Sequence, residues 1–156
     1  ILDELQDPGN VGTIIRTADA FGANGIVMTN NCVDLYNPKV IRATMGSLFH
    51  IPIVFTENKT SLIGSFKNKG INVYSTSLEG EYYIHEMDLT KNIAIVIGNE
   101  ANGVSDEMIN ISDGLIKIPM YGKAESLNAA VATSVAMYEV ARQRVNNPWV
   151  LNALVL

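Results

Sequence analysis

The stretch from Gly114 to Arg144 constrains this chain most. It opens as a short apolar run, Gly114–Ile118, is broken by Pro119, passes through a polar, glycine-containing loop at Met120–Glu125 and continues as a long helical pattern from Ser126. Proline has no amide proton to give a sheet ladder, so the strand stops at Pro119. Ser126 reads as the helix N-cap, and Leu127, Ala130, Val131, Val135 and Tyr138 recur behind it at helical spacing. The loop thus lies between the end of a buried strand and the positive end of a helix, where open α/β folds bind ligands. Taken alone, the same pattern describes an ordinary βα turn. Two further stretches change that balance.

The rest of the chain alternates strand and helix. After a short opening strand, the turn-forming cluster Gln6–Asn10 leads into Val11–Phe21, whose Val11, Ile14, Ile15, Ala18 and Phe21 share one helical face. Asn10 is the expected N-cap and Gly22 the stop, and Arg16 falls off the apolar stripe. Gly25–Thr29 reads as a strand, Pro38–Met45 as a short helix with proline in its first turn, and His50–Phe55 as another strand, with His50 a packing residue at its end. Lys59–Lys69 reads as an amphipathic helix and Ile71–Thr76 as a strand. The Ser77–Asp88 region gives no clear pattern. Ile93–Ile97 is a continuous apolar run of the kind a parallel sheet buries on both faces. Ser105 caps a short helix to Ile111. Such alternation, without repeats or low-complexity linkers, predicts one α/β domain with a mostly parallel sheet flanked by helices.

Composition narrows the function. With 156 residues, 47% hydrophobic and 17% charged, the chain can bury a core of its own. It has no apolar run of membrane-spanning length, and the absence of a signal pattern with a single cysteine, Cys32, predicts a reducing cytoplasmic setting. Two histidines, His50 and His85, are too few and too scattered for a metal centre, so no metal is expected. A formal net charge of −5 is unhelpful to nucleic-acid binding, which then requires a local patch, a partner or another domain. The opening Ile1-Leu2-Asp3 reads as the inside of a strand, and an N-terminal portion is expected to be absent from this chain. The apolar tail 146–156 reads as a docking element, a dimer contact or a non-native appendage.

Three stretches belong together: Asn10–Arg16 (NVGTIIR), Gly98–Gly103 (GNEANG) and Ile118–Asn128 (IPMYGKAESLN). Each follows the C-terminal end of a predicted strand, and in a parallel sheet those ends share an edge. Asn10 and Arg16 offer donors, Glu100 an anion, Ser126 and Asn128 short polar groups, while the glycines allow close backbone approach. No phosphate-cradling G-x-G-x-x-G or P-loop pattern is present, which disfavours a flavodoxin-like nucleotide binder.

On these motifs the chain resembles the SpoU (TrmH) family of RNA ribose methyltransferases, within the SPOUT class. The family carries N-x5-R after its first strand, G-x-E-x-x-G in the middle and I-P-M-x-G-x-x-x-S-L-N near its end, and all three occur here in order. The resemblance runs from Leu2 to about Arg144, making 1–145 the expected catalytic domain and leaving the tail outside.

The resemblance implies an α/β domain with a C-terminal deep trefoil knot, S-adenosylmethionine as cofactor, a ribosomal or transfer RNA substrate and a homodimer. Its catalytic positions fall on Asn10, Arg16, Glu100, Ser126 and Asn128. The cofactor positions fall on Gly98, Ile118, Met120 and Leu127, joined by Thr76, Ser77 and Leu78, and RNA contacts on Arg16 and Arg42. A ribose 2′-hydroxyl is a poor nucleophile near neutral pH and must be activated and aligned. Arginine is effectively never deprotonated, so Arg16 is read as a phosphate clamp and electrostatic stabiliser, with the proton acceptor left open. Glu100 is read as orienting Arg16 or Asn10, or as helping to hold the nucleotide. The alternative is a knotted RNA-binding or cofactor-sensing module that does not methylate. The apolar face of the last helix, with Ala130, Ala141 and Val145, and the Trp149–Leu156 tail are the expected dimer material.

Overall fold

A computed structural model describes residues 1–145; the apolar tail 146–156 lies outside the described residues. The strands are β1 (Ile26–Thr29), β2 (Ile53–Thr56), β3 (Asn72–Thr76), β4 (Tyr82–Tyr83), β5 (Ile93–Val96) and β6 (Gly114–Lys117). The helices are α1 (Pro8–Ala20), α2 (Pro38–Thr44), α3 (Lys59–Asn68), α4 (Asp106–Ile111) and α5 (Ala129–Val145), with short 3-10 turns at Ser47–Phe49 and Ile84–Glu86. The Ser77–Asp88 region, which has no clear sequence pattern, supplies β4 and the second of these turns.

Every strand pairing is parallel: β1 with β2, and β4-β6-β3-β5 in that order. The expected opening strand is only a short segment, but it joins the two sheets. Leu2 bridges Met28 on one side and Ile97 on the other. Its N–H donates to the Val27 carbonyl at 2.8 Å and its carbonyl accepts from Thr29 at 3.0 Å, while the Asp3 N–H donates to Ile97 at 2.8 Å. The spatial order is therefore β2-β1-(1–3)-β5-β3-β6-β4. Alternation along β5 then assigns the helices. Val96 packs with Ile63 of α3 and Met108 of α4, whereas Ile95 and Ile97 face the clusters built by α1 and α5.

Helix α1 begins earlier than Asn10 predicts. Asp7 is the cap, its carboxylate accepting the Asn10 N–H at 2.7 Å, and Pro8 occupies the first turn. An Asp-Pro pair gives a charged acceptor followed by a residue with no amide proton to satisfy, and so starts a helix better than Asn10. Gly22, at φ +68°, ends it as expected. Within α1, Gly12 lies against α2: a Cβ there would stand 2.5 Å from the Ala43 Cβ and 2.7 Å from the Val40 carbonyl. His50 does not end a strand; it follows a 3-10 turn, exposed, with Nδ1 3.1 Å from Asp19 Oδ2.

Helix α5 also departs from expectation. It starts at Ala129 and not behind a Ser126 cap, because Asn128 is the residue whose Oδ1 accepts the N–H groups of Ala130 at 2.9 Å and Val131 at 3.3 Å. Its buried face is Ala130, Thr133, Ala136, Glu139 and Val140, so the helix sits close against the sheet and α1 through small residues. Val131, Val135 and Tyr138 remain 49%, 38% and 58% exposed. At its far end, Gln143 pairs with the backbone of Met87 and Leu89, and Arg144 with the carbonyls of Leu89 and Lys91. These bonds fasten the loop that feeds β5.

Candidate functional site

The C-terminal ends of β3, β5 and β6 open into a cavity of about 880 Å³, within the range of small-molecule sites. Thr76, Ser77 and Leu78 come from the end of β3, Gly98 and Glu100 from the loop after β5, and Ile118, Met120, Ser126, Leu127 and Asn128 from the loop between β6 and α5; all of them line it. All seven expected cofactor positions therefore border one space. Ser126 lies exposed on its wall, without the helix-capping role expected of it.

The Gly98–Gly103 loop doubles back on itself. Asn99 and Gly103 form an antiparallel bridge, and the Gly103 N–H donates to the Asn99 carbonyl at 2.9 Å. The turn is so tight that a Cβ on Gly98 would lie 2.1 Å from both the Gly103 carbonyl carbon and the Val104 nitrogen. Only glycine fits there without moving the backbone. Asn99 organises the same turn, its Oδ1 accepting from Ala101 at 2.9 Å and Asn102 at 3.2 Å. Asn99 is not among the site residues expected from sequence, though its place between Gly98 and Glu100 in a tight loop is a turn signal.

A chain of side-chain hydrogen bonds ties the three stretches together. Asn128 Nδ2 donates to Asn10 Oδ1 at 2.9 Å, and Asn10 Nδ2 donates to Glu100 Oε1 at 3.0 Å. Glu100 also accepts the backbone N–H groups of Gln6 at 3.2 Å and Asp7 at 3.1 Å. Burial alone would raise the Glu100 pKa, but the Asn10 amide and the backbone donors outweigh it and hold the carboxyl below its ordinary value. Glu100 is thus an ionised clamp on Asn10 and the Gln6–Asp7 turn. No hydrogen bond links it to Arg16 among the described residues.

Arg16 and Arg42 stand apart from this cluster. Both are exposed, on the two helices that meet at Gly12 and Ala43, and neither lines the cavity. Asn10 reaches the cavity only through Glu100 and Asn128.

Residues 1–138 match the model of the SpoU rRNA methylase family. A 23S rRNA (guanosine(2553)-2′-O)-methyltransferase, RlmP, of Bacillus subtilis is 39% identical over 140 residues, covering 90% of this chain and 56% of the relative. A 23S rRNA (uridine(2479)-2′-O)-methyltransferase of Streptomyces viridochromogenes is 35% identical over 151 residues, covering 94% of this chain and 53% of the relative. The crystal structure of the SpoU methyltransferase AviRb from Streptomyces viridochromogenes, in complex with AdoMet, superposes with a TM-score of 0.87 at 36% identity, covering 92% of this chain and 56% of that one. The chain therefore spans little more than half the length of these relatives. Residues from Leu2 through the Asn128 cap and into α5 carry the three motifs within the matched region, and the chain belongs to the SpoU rRNA methylase family.

Proposed function

We propose that residues 1–145 are the catalytic unit of an S-adenosylmethionine-dependent methyltransferase that acts on a ribose 2′-hydroxyl of structured RNA. The observation that carries this reading is the Glu100–Asn10–Asn128 chain, which draws three loops to the rim of one cavity. Ribosomal RNA is the favoured substrate, in keeping with the two relatives named for 23S rRNA.

The lining suits the cofactor chemically. Leu78, Ile118, Met120 and Leu127 offer apolar contact, the Gly98–Gly103 turn offers closely approaching backbone, and Glu79, Glu100 and Glu125 outnumber Lys117 on the lining, which favours a cationic guest. When bound, S-adenosylmethionine supplies an electrophilic methyl on a sulfonium. The chain's own work is alignment of the hydroxyl and control of charge. Asn128 and Asn10, with their amide orientations fixed, hold the reacting end of the cavity in one arrangement. Arg16, exposed outside the cavity, clamps an RNA phosphate with its planar fork and so positions the ribose. Arg42 adds a second phosphate contact. The hydroxyl proton passes to an acceptor other than arginine.

The knot belongs to the same reading, as do a cytoplasmic location and a homodimer. Among the described residues no helix is long and apolar enough to cross a membrane. The dimer face is Val131, Val135 and Tyr138, with Phe21 edge-on to Tyr138 at a ring separation of 6.3 Å. Ala130, expected there, is buried in the protomer's own core. Light scattering at micromolar concentration should give twice the chain mass; a monomer contradicts this interface. An additional RNA-binding unit supplies the positive field that a chain of net charge −5 lacks.

Mapping ribose methylation in cellular RNA with and without the full-length gene tests the reading. Loss of one 2′-O-methyl position is expected on deletion, and an unchanged map would refute it.

A further inference from the structure

A second polar network lies behind the Gly98–Gly103 loop. Lys59, the first residue of α3, is 7% exposed, and Asp3 is fully buried. The Lys59 ammonium lies 2.8 Å from Asp3 Oδ1 and 2.9 Å from both Glu4 Oε1 and Ser105 Oγ. Its three donors are thereby used. Asp3 also accepts the Ser105 N–H at 2.8 Å and the Thr29 hydroxyl at 3.1 Å. A lysine in the first turn of a helix faces the positive end of the dipole, and burying an ammonium is costly unless it is well paired. A solvated helix lysine would need none of this.

The second carboxylate of this network belongs to half-buried Glu4, whose φ of +58° puts an ordinary side chain in the left-handed region. In that conformation the Glu4 N–H donates to the Thr29 hydroxyl at 3.1 Å and its carbonyl accepts from Asn99 Nδ2 at 2.9 Å. Asn99 is the residue that folds the Gly98–Gly103 turn, and it lines the cavity. Lys59 does not line it.

We propose that Lys59 is a positioning residue for the cavity: it holds Glu4 in the left-handed conformation, so that the Glu4 carbonyl fixes Asn99 and, through it, the loop that receives the cofactor. This rests on reading the cavity as the S-adenosylmethionine site. It differs from a purely structural salt bridge in a testable way. What matters for binding is the backbone conformation at residue 4, and glycine can adopt that conformation without the ion pair.

The test is a calorimetric titration with S-adenosylhomocysteine, at a temperature where each variant is shown to be folded. Glu4→Ala and Glu4→Gly lose the same carboxylate. Glu4→Ala should weaken binding by roughly three- to thirtyfold, while Glu4→Gly stays within about twofold of the parent. Lys59→Met should weaken binding as Glu4→Ala does, and should have no further effect in a Glu4→Gly background. If Lys59→Met leaves Asp3 too poorly compensated to fold, the two Glu4 variants decide alone. Ile63→Ala, which opens a cavity elsewhere on α3, should lower the melting temperature without moving the affinity. Equal affinities for parent, Glu4→Ala and Glu4→Gly, or equal losses in both variants, overturn the positioning role while leaving the cofactor reading intact. A folded parent that takes up no probe refutes the cofactor reading, and this proposal with it.

Discussion

Asn128 and Asn10, 118 positions apart in sequence, share a 2.9 Å hydrogen bond in which the Asn128 amide donates to the Asn10 carbonyl oxygen. Because Asn128 Oδ1 caps α5 and Asn10 Nδ2 is bound to Glu100, neither amide can rotate without breaking at least two contacts. The bond therefore couples the start of α5, the start of α1 and the loop after β5.

Removing Asn10 tests that coupling. Asn10→Ala leaves Glu100 Oε1 and Asn128 Nδ2 each short of a partner, and should cost about 1–3 kcal/mol in chemical denaturation. Methyl transfer should fall further than stability alone explains. Asn10→Asp should be worse at neutral pH, since it sets a second carboxylate beside Glu100. That excess penalty should shrink as pH falls and the pair takes up a proton.

Gly98→Ala addresses the turn itself. The added methyl would collide with backbone at Gly103 and Val104, which cannot give way as a flexible side chain does. We expect a loss of roughly 1–3 kcal/mol in stability and S-adenosylmethionine binding weakened beyond tenfold (about 1.4 kcal/mol), both read by calorimetry. Parent-like binding would show that the turn is not part of the cofactor pocket.

Much of this arrangement is legible in the sequence. The alternation of strand and helix gives a parallel sheet, and a parallel sheet puts the three motif loops on one edge. What escapes is set by distant partners. Asn10 reads as a cap because asparagine caps well, yet Asp7-Pro8 takes that role and frees the Asn10 side chain for Glu100 and Asn128. Ser126 gives way to Asn128 because the loop stays non-helical until Asn128 reaches Asn10. On α5 the large apolar residues at helical spacing suggest the core, but the helix packs closely and buries Ala130, Thr133, Ala136, Glu139 and Val140 instead. Val131, Val135 and Tyr138 are left facing outward. The Asp3–Lys59 pair joins elements whose proximity no local pattern encodes.

Acid sensitivity should have a component at Glu139. The Arg142 guanidinium, 2.7 Å away, outweighs burial and, with Gln143, lowers its pKa from 4.5 to about 2. A carboxyl depressed in the folded state stabilises the fold above its unfolded pKa and loses that contribution as pH falls through the folded one. Stability owed to Glu139 should therefore be complete above about pH 4.5 and vanish toward pH 2. Glu139→Gln should be less stable than the parent at pH 6, with the gap narrowing across that window in urea titrations.

Arg16→Ala should leave fold and cofactor affinity nearly unchanged, because the side chain is exposed and lies outside the cavity. Turnover on RNA should drop by about 10²–10³, the cost of losing one preorganised donor. Arg16→Lys should recover only part of it, since a point charge lacks the planar fork. A variant that turns over at the parent rate, or loses cofactor binding along with activity, would remove Arg16 from the role assigned to it.

The most direct measurement is chemical. Full-length protein is incubated with unmodified ribosomal RNA and methyl-labelled S-adenosylmethionine, and the RNA is then hydrolysed in alkali. Alkaline cleavage uses the 2′-hydroxyl as its nucleophile, so a methylated ribose protects its own linkage. The account predicts that the label appears in alkali-resistant dinucleotides. Label confined to mononucleotides would mean that a base is the acceptor, and either that result or no incorporation by folded, cofactor-binding protein would contradict ribose 2′-O-methylation.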